Sequence, residues 1–319
     1  MFNDTRGYGH YGCDLVMSRL TSLLEHRAIK PVYFWPVRKD WRPHAARIPA
    51  FPDIHAVIVN GEGSIHRPTS RKRAVYLSEL GRFANESLGV PAFLVNATIH
   101  DIDAATADNL RAFERVFVRE SGSLRTLERN GIPAAVAPDL CMSLEWNPPP
   151  VARAGVLGTD SVFEEVSRRV RSLCRAKGWA FVRMEHKGRL LRRELLRLRH
   201  MRSCWEHWFN QRERVFLDEV RSSEFVITGR FHAMVFCLLT RTPFLAIESN
   251  TPKISAMLLD VFGNTDRLVA LDDLKARVEN GPRGFDEGEI AAIDAYVSTG
   301  SERVRSMIES VADSIHRGR

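Results

Sequence analysis

Arg230 and His232 stand one residue apart at a place where cations are not expected. Before them lies a short apolar run, residues 225–227, then a Thr-Gly turn. After them comes an apolar segment, residues 233–239, and a second apolar run, residues 244–247, that ends at Glu248-Ser249-Asn250. Buried strand, turn, helix and strand in that order make a parallel βαβ unit. Cations in the first turn of a helix oppose its dipole. A bound anion, faced by both cations and by the helix N-terminus, accounts for the pair. A solvated Arg230 and a hydrogen-bonded core His232 are the structural alternative. The carboxyl end of a parallel strand is where α/β proteins bind ligands, which favours the anion. A planar guanidinium suits a carboxylate or phosphate held bidentately, and an imidazole poised near neutrality suits proton transfer.

Two carboxylates occupy comparable positions. Residues 56–59 read as a buried strand, and Asn60-Gly61-Glu62-Gly63-Ser64-Ile65-His66 follows it directly. A glycine-bracketed Glu62 fits a catalytic base or a hydroxyl ligand; the alternative is a tight turn that needs its glycines, with Glu62 and His66 incidental. Asp14 closes a glycine-rich loop, residues 6–14, ahead of a helix over residues 15–26. It serves equally as an N-cap or as a ligand contact. The loop lacks the GxGxxG spacing of dinucleotide sites. Arg119 ends a strand over residues 116–118, where a local pair with Glu120 is the alternative to ligand binding. Asn96 ends another, over residues 92–95.

The elements that position these groups alternate along the chain. Strands and helices up to Pro138-Asp139 predict one doubly wound domain. The run Asn147-Pro148-Pro149-Pro150 reads as a linker, giving domains 1–147 and 151–319. In the second domain a helix over residues 161–177 and a strand over residues 179–184 precede the βαβ unit. Residues 268–271 are expected to form the last strand, and residues 287–315 a helix broken near Ser298-Thr299-Gly300. Residues 188–210 are basic and apolar by turns, a pattern shared by a surface helix and by a helix lying on an anionic membrane.

The 319-residue chain is long enough for two α/β domains, and its formal charge of +7 is compatible with anionic partners. No nucleic-acid motif is present. Five dispersed cysteines without a CxxC pair point to reduced thiols and a cytoplasmic protein. No Cys/His group has local ligand spacing, so no metal is expected. No apolar run reaches membrane-spanning length.

Taken together, the loop DTRGYGHYGCDLVM, the segment VIVNGEGSIH, the run VFVRESGSLRTLERNGI with PDL after it, and above all VITGRFHAMVFCLLTRTPFLAIESNTPK resemble the polysaccharide pyruvyl transferase family over most of the chain. The chain has NGEGS where the family more often has a polyglycine turn. The resemblance implies two Rossmann-like domains facing across a cleft in the manner of GT-B glycosyltransferases. It also implies transfer of pyruvate from phosphoenolpyruvate to a glycan sugar as a ketal, in the making of exopolysaccharide or capsule. By that reading His232 is the general acid and Glu62 the base, with Asp14 second. Arg230, Lys253, Arg119, Ser249 and Asn250 hold the donor. His10, Asn60, His66 and Asn96 lie on the acceptor side. Phosphoenolpyruvate is a co-substrate, and no other cofactor is expected. The acceptor is a glycan or lipid-linked saccharide, compatible with a cytoplasmic protein or one peripheral to the inner membrane face. A GT-B glycosyltransferase using a nucleotide sugar is the rival reading with nearly the same residues.

Overall fold

The computed structural model describes residues 1–6, 9–50, 53–185, 215–281 and 283–318. The basic stretch at residues 188–210 lies outside them. Contacts divide the chain into two compact units. The first comprises Met1–Thr5, Arg19–Ser143 and Gly300–Arg319; the second comprises Arg6–Ser18 and Leu144–Thr299. The glycine-rich loop therefore groups with the C-terminal half, and the last helical turns with the N-terminal half.

The first unit is built on a parallel sheet in the order β2-β1-β3-β4-β5-β6. Its strands are β1 (Phe2–Asp4), β2 (Trp35–Pro36), β3 (Val57–His66), β4 (Ala92–His100), β5 (Arg115–Val118) and β6 (Ala135–Val136). Helix α1 (Tyr11–Glu25) begins in the second unit and ends in the first. It is followed by α2 (Lys72–Ser78), α3 (Leu80–Phe83), α4 (Ala104–Leu110) and α5 (Ser121–Arg129). The first halves of β3 and β4, residues 57–59 and 92–95, are continuous apolar runs, as strands covered on both faces require. Val59, Ile65, Leu94 and Val118 are buried in one core with Trp41, Leu77 and Leu127. Asp103 caps α4 by accepting the Thr106 amide N–H at 2.8 Å, and the Thr106 hydroxyl, with that amide, holds its carboxyl below the usual range.

The second unit repeats the strand order on a smaller scale. Its parallel sheet runs β10-β9-β7-β8, from β7 (Val156–Ser161), β8 (Ala180–Val182), β9 (Phe225–Gly229) and β10 (Phe244–Ala246). The helices are α6 (Glu164–Lys177), α7 (Phe231–Thr240), α8 (Lys253–Phe262), α9 (Leu274–Glu279) and α10 (Glu287–Arg317), with residues 215–222 also helical. Val170, Ile227, Leu245, Ile247 and Val269 form its core. Among the described residues no helix is long and apolar enough to cross a membrane.

Two expected elements differ. Residues 268–271 do not form a strand; a single parallel bridge joins Leu268 to Ala246. The helix expected to break near Gly300 is continuous across Glu287–Arg317, because tertiary packing against Pro138 and Met142 outweighs the glycine's low propensity.

Arg267 ties the start of α10 to the sheet. It is buried, donates to Glu289 through two 2.8 Å bonds, and donates to the Gly284 carbonyl at 2.8 Å. Burial disfavours a charged Glu289, but the Arg267 bonds and the Asp286 amide hold its carboxyl below the usual range. A depressed folded-state pKa stabilises above the unfolded value and is lost as pH falls through the folded one. Glu289→Gln is thus expected to cost the second unit about 1–3 kcal/mol near pH 7. The deficit should shrink toward zero below about pH 4, as followed by hydrogen exchange in α10.

Candidate functional site

The order 2-1-3-4, counted from the first strand of each unit, places a topological switch point between β1 and β3 and another between β7 and β9. Ligands of open α/β sheets bind outside the strand ends at such points. Both units carry polar groups there.

In the second unit β7 and β9 end side by side, with Ser161 paired to Gly229. A Cβ on Gly229 would fall 2.5 Å from that of Ser161, so only glycine allows the approach. Arg230 follows as the N-cap of α7 in extended conformation, and its amide N–H donates to Thr228 Oγ1 at 3.0 Å. The Arg230 side chain makes no capping bond to the first turn of α7. The guanidinium of Arg230 pairs with Asp160 at the end of β7 and lies 3.5 Å from Glu185. Asp160 is buried, and its other oxygen accepts the Met184 amide N–H at 2.9 Å. The cation is thereby aimed by a carboxylate that the sequence reading did not single out. A Thr-Asp-Ser strand end gives no local signal; the pairing of β7 with β9 does.

His232 is buried one residue into α7. The backbone of Gly12 packs against it so closely that a Cβ would lie 2.2 Å from the His232 Cγ. The His10 ring meets the His232 ring edge-on at 5.5 Å between centroids, and His10 bridges to Glu185. His10 Nδ1 accepts the Cys13 amide N–H at 3.4 Å. Asp14 is buried in the first turn of α1. His10, Asp14, Arg230 and His232 therefore belong to one unit, although His10 and Asp14 were expected in the N-terminal domain.

The second helix start in this unit is already occupied. Glu248 accepts amide N–H groups from Ser249, Ile254 and Ser255 at 2.9, 3.2 and 3.1 Å, capping α8 with the chain's own carboxylate. Beside it Asn250 Oδ1 accepts from Lys253 Nζ at 3.0 Å and from Ser249 Oγ at 3.2 Å, and Lys253 is buried.

In the first unit the expected ends of β3 and β4 are not ends. Pairing continues through Asn60 and Asn96, with register shifts between Glu62 and Ile65 and between Leu94 and Ala97. Glu62 and Asn96 take left-handed backbone angles, φ 46° and 55°, strain that non-glycine residues hold where the surroundings impose it. Asn60 and Asn96 bond to each other at 3.4 Å, and Asn96 also accepts the Leu140 amide N–H at 3.2 Å. His66 is buried at the end of β3. Glu62 accepts from Thr5 Oγ1 at 3.2 Å across the β1–β3 switch point. Arg119 is fully buried. It donates to Asp139 at 2.9 Å and to Thr98 at 2.8 Å, and lies 4.0 Å from Glu62. Burial opposes its charge, but Asp139, Glu62 and Glu120 outweigh burial and raise its pKa. Arg119 thus sits in an interior network beneath Glu62 and is not presented to solvent.

The fold and these strand-end groups define a two-unit parallel α/β protein of the GT-B-like class. Residues 10–251 match the polysaccharide pyruvyl transferase model, and the chain belongs to that family. No curated protein gives a significant sequence match. Among solved structures, UDP-GlcNAc 2-epimerase of Methanocaldococcus jannaschii, solved in complex with UDP-GlcNAc and UDP, is similar in fold. It has a TM-score of 0.51 at 12% identity, covering 89% of this chain and 96% of that one. A functionally uncharacterised protein of Klebsiella pneumoniae aligns with TM-score 0.49 and 13% identity over 85% of this chain and 92% of that one.

Proposed function

We propose that the protein transfers the pyruvate part of phosphoenolpyruvate to a glycan sugar as a ketal. The observation that carries this reading is the N-terminus of α7. It carries Arg230 at its edge, held by Asp160, and a buried His232 in its first turn, within a chain of this transferase family. Arg230, held by Asp160, and Lys253 bind the donor's phosphate and carboxylate. His232 protonates the donor's methylene carbon. One sugar hydroxyl then adds to the neighbouring carbon, phosphate leaves that carbon with its charge facing the α7 amides, and a second hydroxyl closes the ketal. One proton ends on the new methyl group, and the protons lost by the two hydroxyls balance that one and the released phosphate. Glu62 and Asp14 are the candidate bases, and Arg119 is a supporting cation. Ser249 and Asn250 complete the donor side through Lys253, and His10, Asn60, His66 and Asn96 serve the acceptor.

Thermal unfolding in the presence of phosphoenolpyruvate and, separately, of nucleotide sugars tests the donor. A ligand that binds the native state at about 100 times its Kd adds about 2.7 kcal/mol. We expect the melting temperature to rise with phosphoenolpyruvate and the rise to disappear in Arg230→Gln. A rise with nucleotide sugars alone would transfer the reading to glycosyl transfer.

A further inference from the structure

We propose that His10, Cys13 and His232 form a binding site for a soft divalent cation of the zinc class. One imidazole nitrogen from each histidine and the Cys13 sulfur all lie within 4.8 Å of one another. Two imidazoles and a thiolate are donors that zinc takes, and three protein ligands leave a fourth tetrahedral corner for water or a ligand oxygen. The absence of a carboxylate from the set disfavours magnesium or calcium. The three groups are held before any ion arrives. His10 and Cys13 are three residues apart at the start of α1, joined by the bond from the Cys13 amide N–H to His10 Nδ1. His232 is buried and pressed against the Gly12 backbone, which leaves its ring little freedom. Donors around a tetrahedral zinc stand about 3.5 Å apart. Closing to that spacing requires small movements of His10 and Cys13, which are both partly exposed.

Sequence spacing alone does not reveal this group, because His232 lies more than two hundred residues from His10 and Cys13. Binding replaces the thiol proton of Cys13 with the metal, so it releases a proton and strengthens as pH rises. A metal on His232 occupies the lone pair that proton delivery requires. The expectation that zinc inhibits transfer rests on the proposed function; the site itself does not.

The test uses the full-length chain and two metals. Zinc is titrated in competition with a chromophoric chelator, and cobalt is added separately to read thiolate-to-metal absorption in the near ultraviolet. We expect one equivalent of either metal with a thiolate band. In Cys13→Ser the band should be absent and zinc affinity lower by about 10²-fold or more. His10→Gln should weaken zinc similarly while keeping a thiolate, so it also covers the case in which Cys13→Ser does not fold. Metal-free melting temperatures of both variants verify folding. Absence of binding in the wild type, or a band and stoichiometry that persist in both variants, would overturn the site, whatever the outcome with phosphoenolpyruvate.

Discussion

His232→Asn is expected to lower the rate of pyruvyl transfer by about 10²–10⁴-fold, the usual worth of a positioned general acid. Binding of phosphoenolpyruvate should change little, because Arg230, Lys253 and the α7 amides remain. Asparagine keeps polarity at a buried position but cannot deliver a proton at neutral pH. The loss should therefore fall on kcat and leave KM near the wild-type value. Single-turnover rates with the donor in excess, together with donor titrations, check both halves of the expectation. A variant with full activity would remove His232 from the chemistry. A variant that no longer binds the donor would make it a ligand instead of an acid.

Arg119→Leu is expected to destabilise the first unit by about 3–5 kcal/mol, because it leaves Asp139, Glu62 and Glu120 without their buried counter-charge. The double variant Arg119→Leu with Asp139→Asn should recover part of that loss, since the principal bonded carboxylate is neutralised with its partner. Hydrogen exchange is the suitable measurement, because a two-unit chain need not unfold in one step. Exchange should accelerate in β3, β4 and β5 and stay unchanged in β7 and β9. Equal acceleration in both units would contradict the assignment of Arg119 to a network internal to the first.

Strand–helix alternation was legible because both sheets are parallel and buried, which writes each strand as an apolar run and each helix as a separate periodic segment. The βαβ unit around Arg230 and His232 appears where the sequence places it, with α7 at Phe231–Thr240. Strand ends were less legible. Asn60-Gly61 and Asn96 read as the ends of their strands, because asparagine and glycine are poor strand formers. In the structure Asn60 and Asn96 bond to each other, and bulges at Glu62 and Asn96 carry the pairing onward. Gly61 lies so near Ala97 that a Cβ would sit 2.5 Å from the Ala97 Cβ, so one glycine of the turn-like motif serves strand packing.

Partners that lie far away in sequence were not legible at all. Asp160 joins Arg230 only because β7 and β9 are neighbours, and Cys13 joins His232 only because the glycine-rich loop groups with the second unit. Glu248 reads as a polar strand end, yet it caps α8. Each of these contacts depends on strand order or loop placement, which hydrophobic periodicity does not encode.

Every role proposed for Arg230 and His232 in the transfer depends on phosphoenolpyruvate being the donor. The most direct test is turnover with phosphoenolpyruvate in deuterated water, using lipid-linked and free saccharides as acceptors and mass spectrometry of the product. The expected result is stoichiometric phosphate release and a product heavier by one pyruvate less one water, with one solvent deuterium in its new methyl group. Transfer of a sugar from a nucleotide donor, with phosphoenolpyruvate left intact, would contradict it.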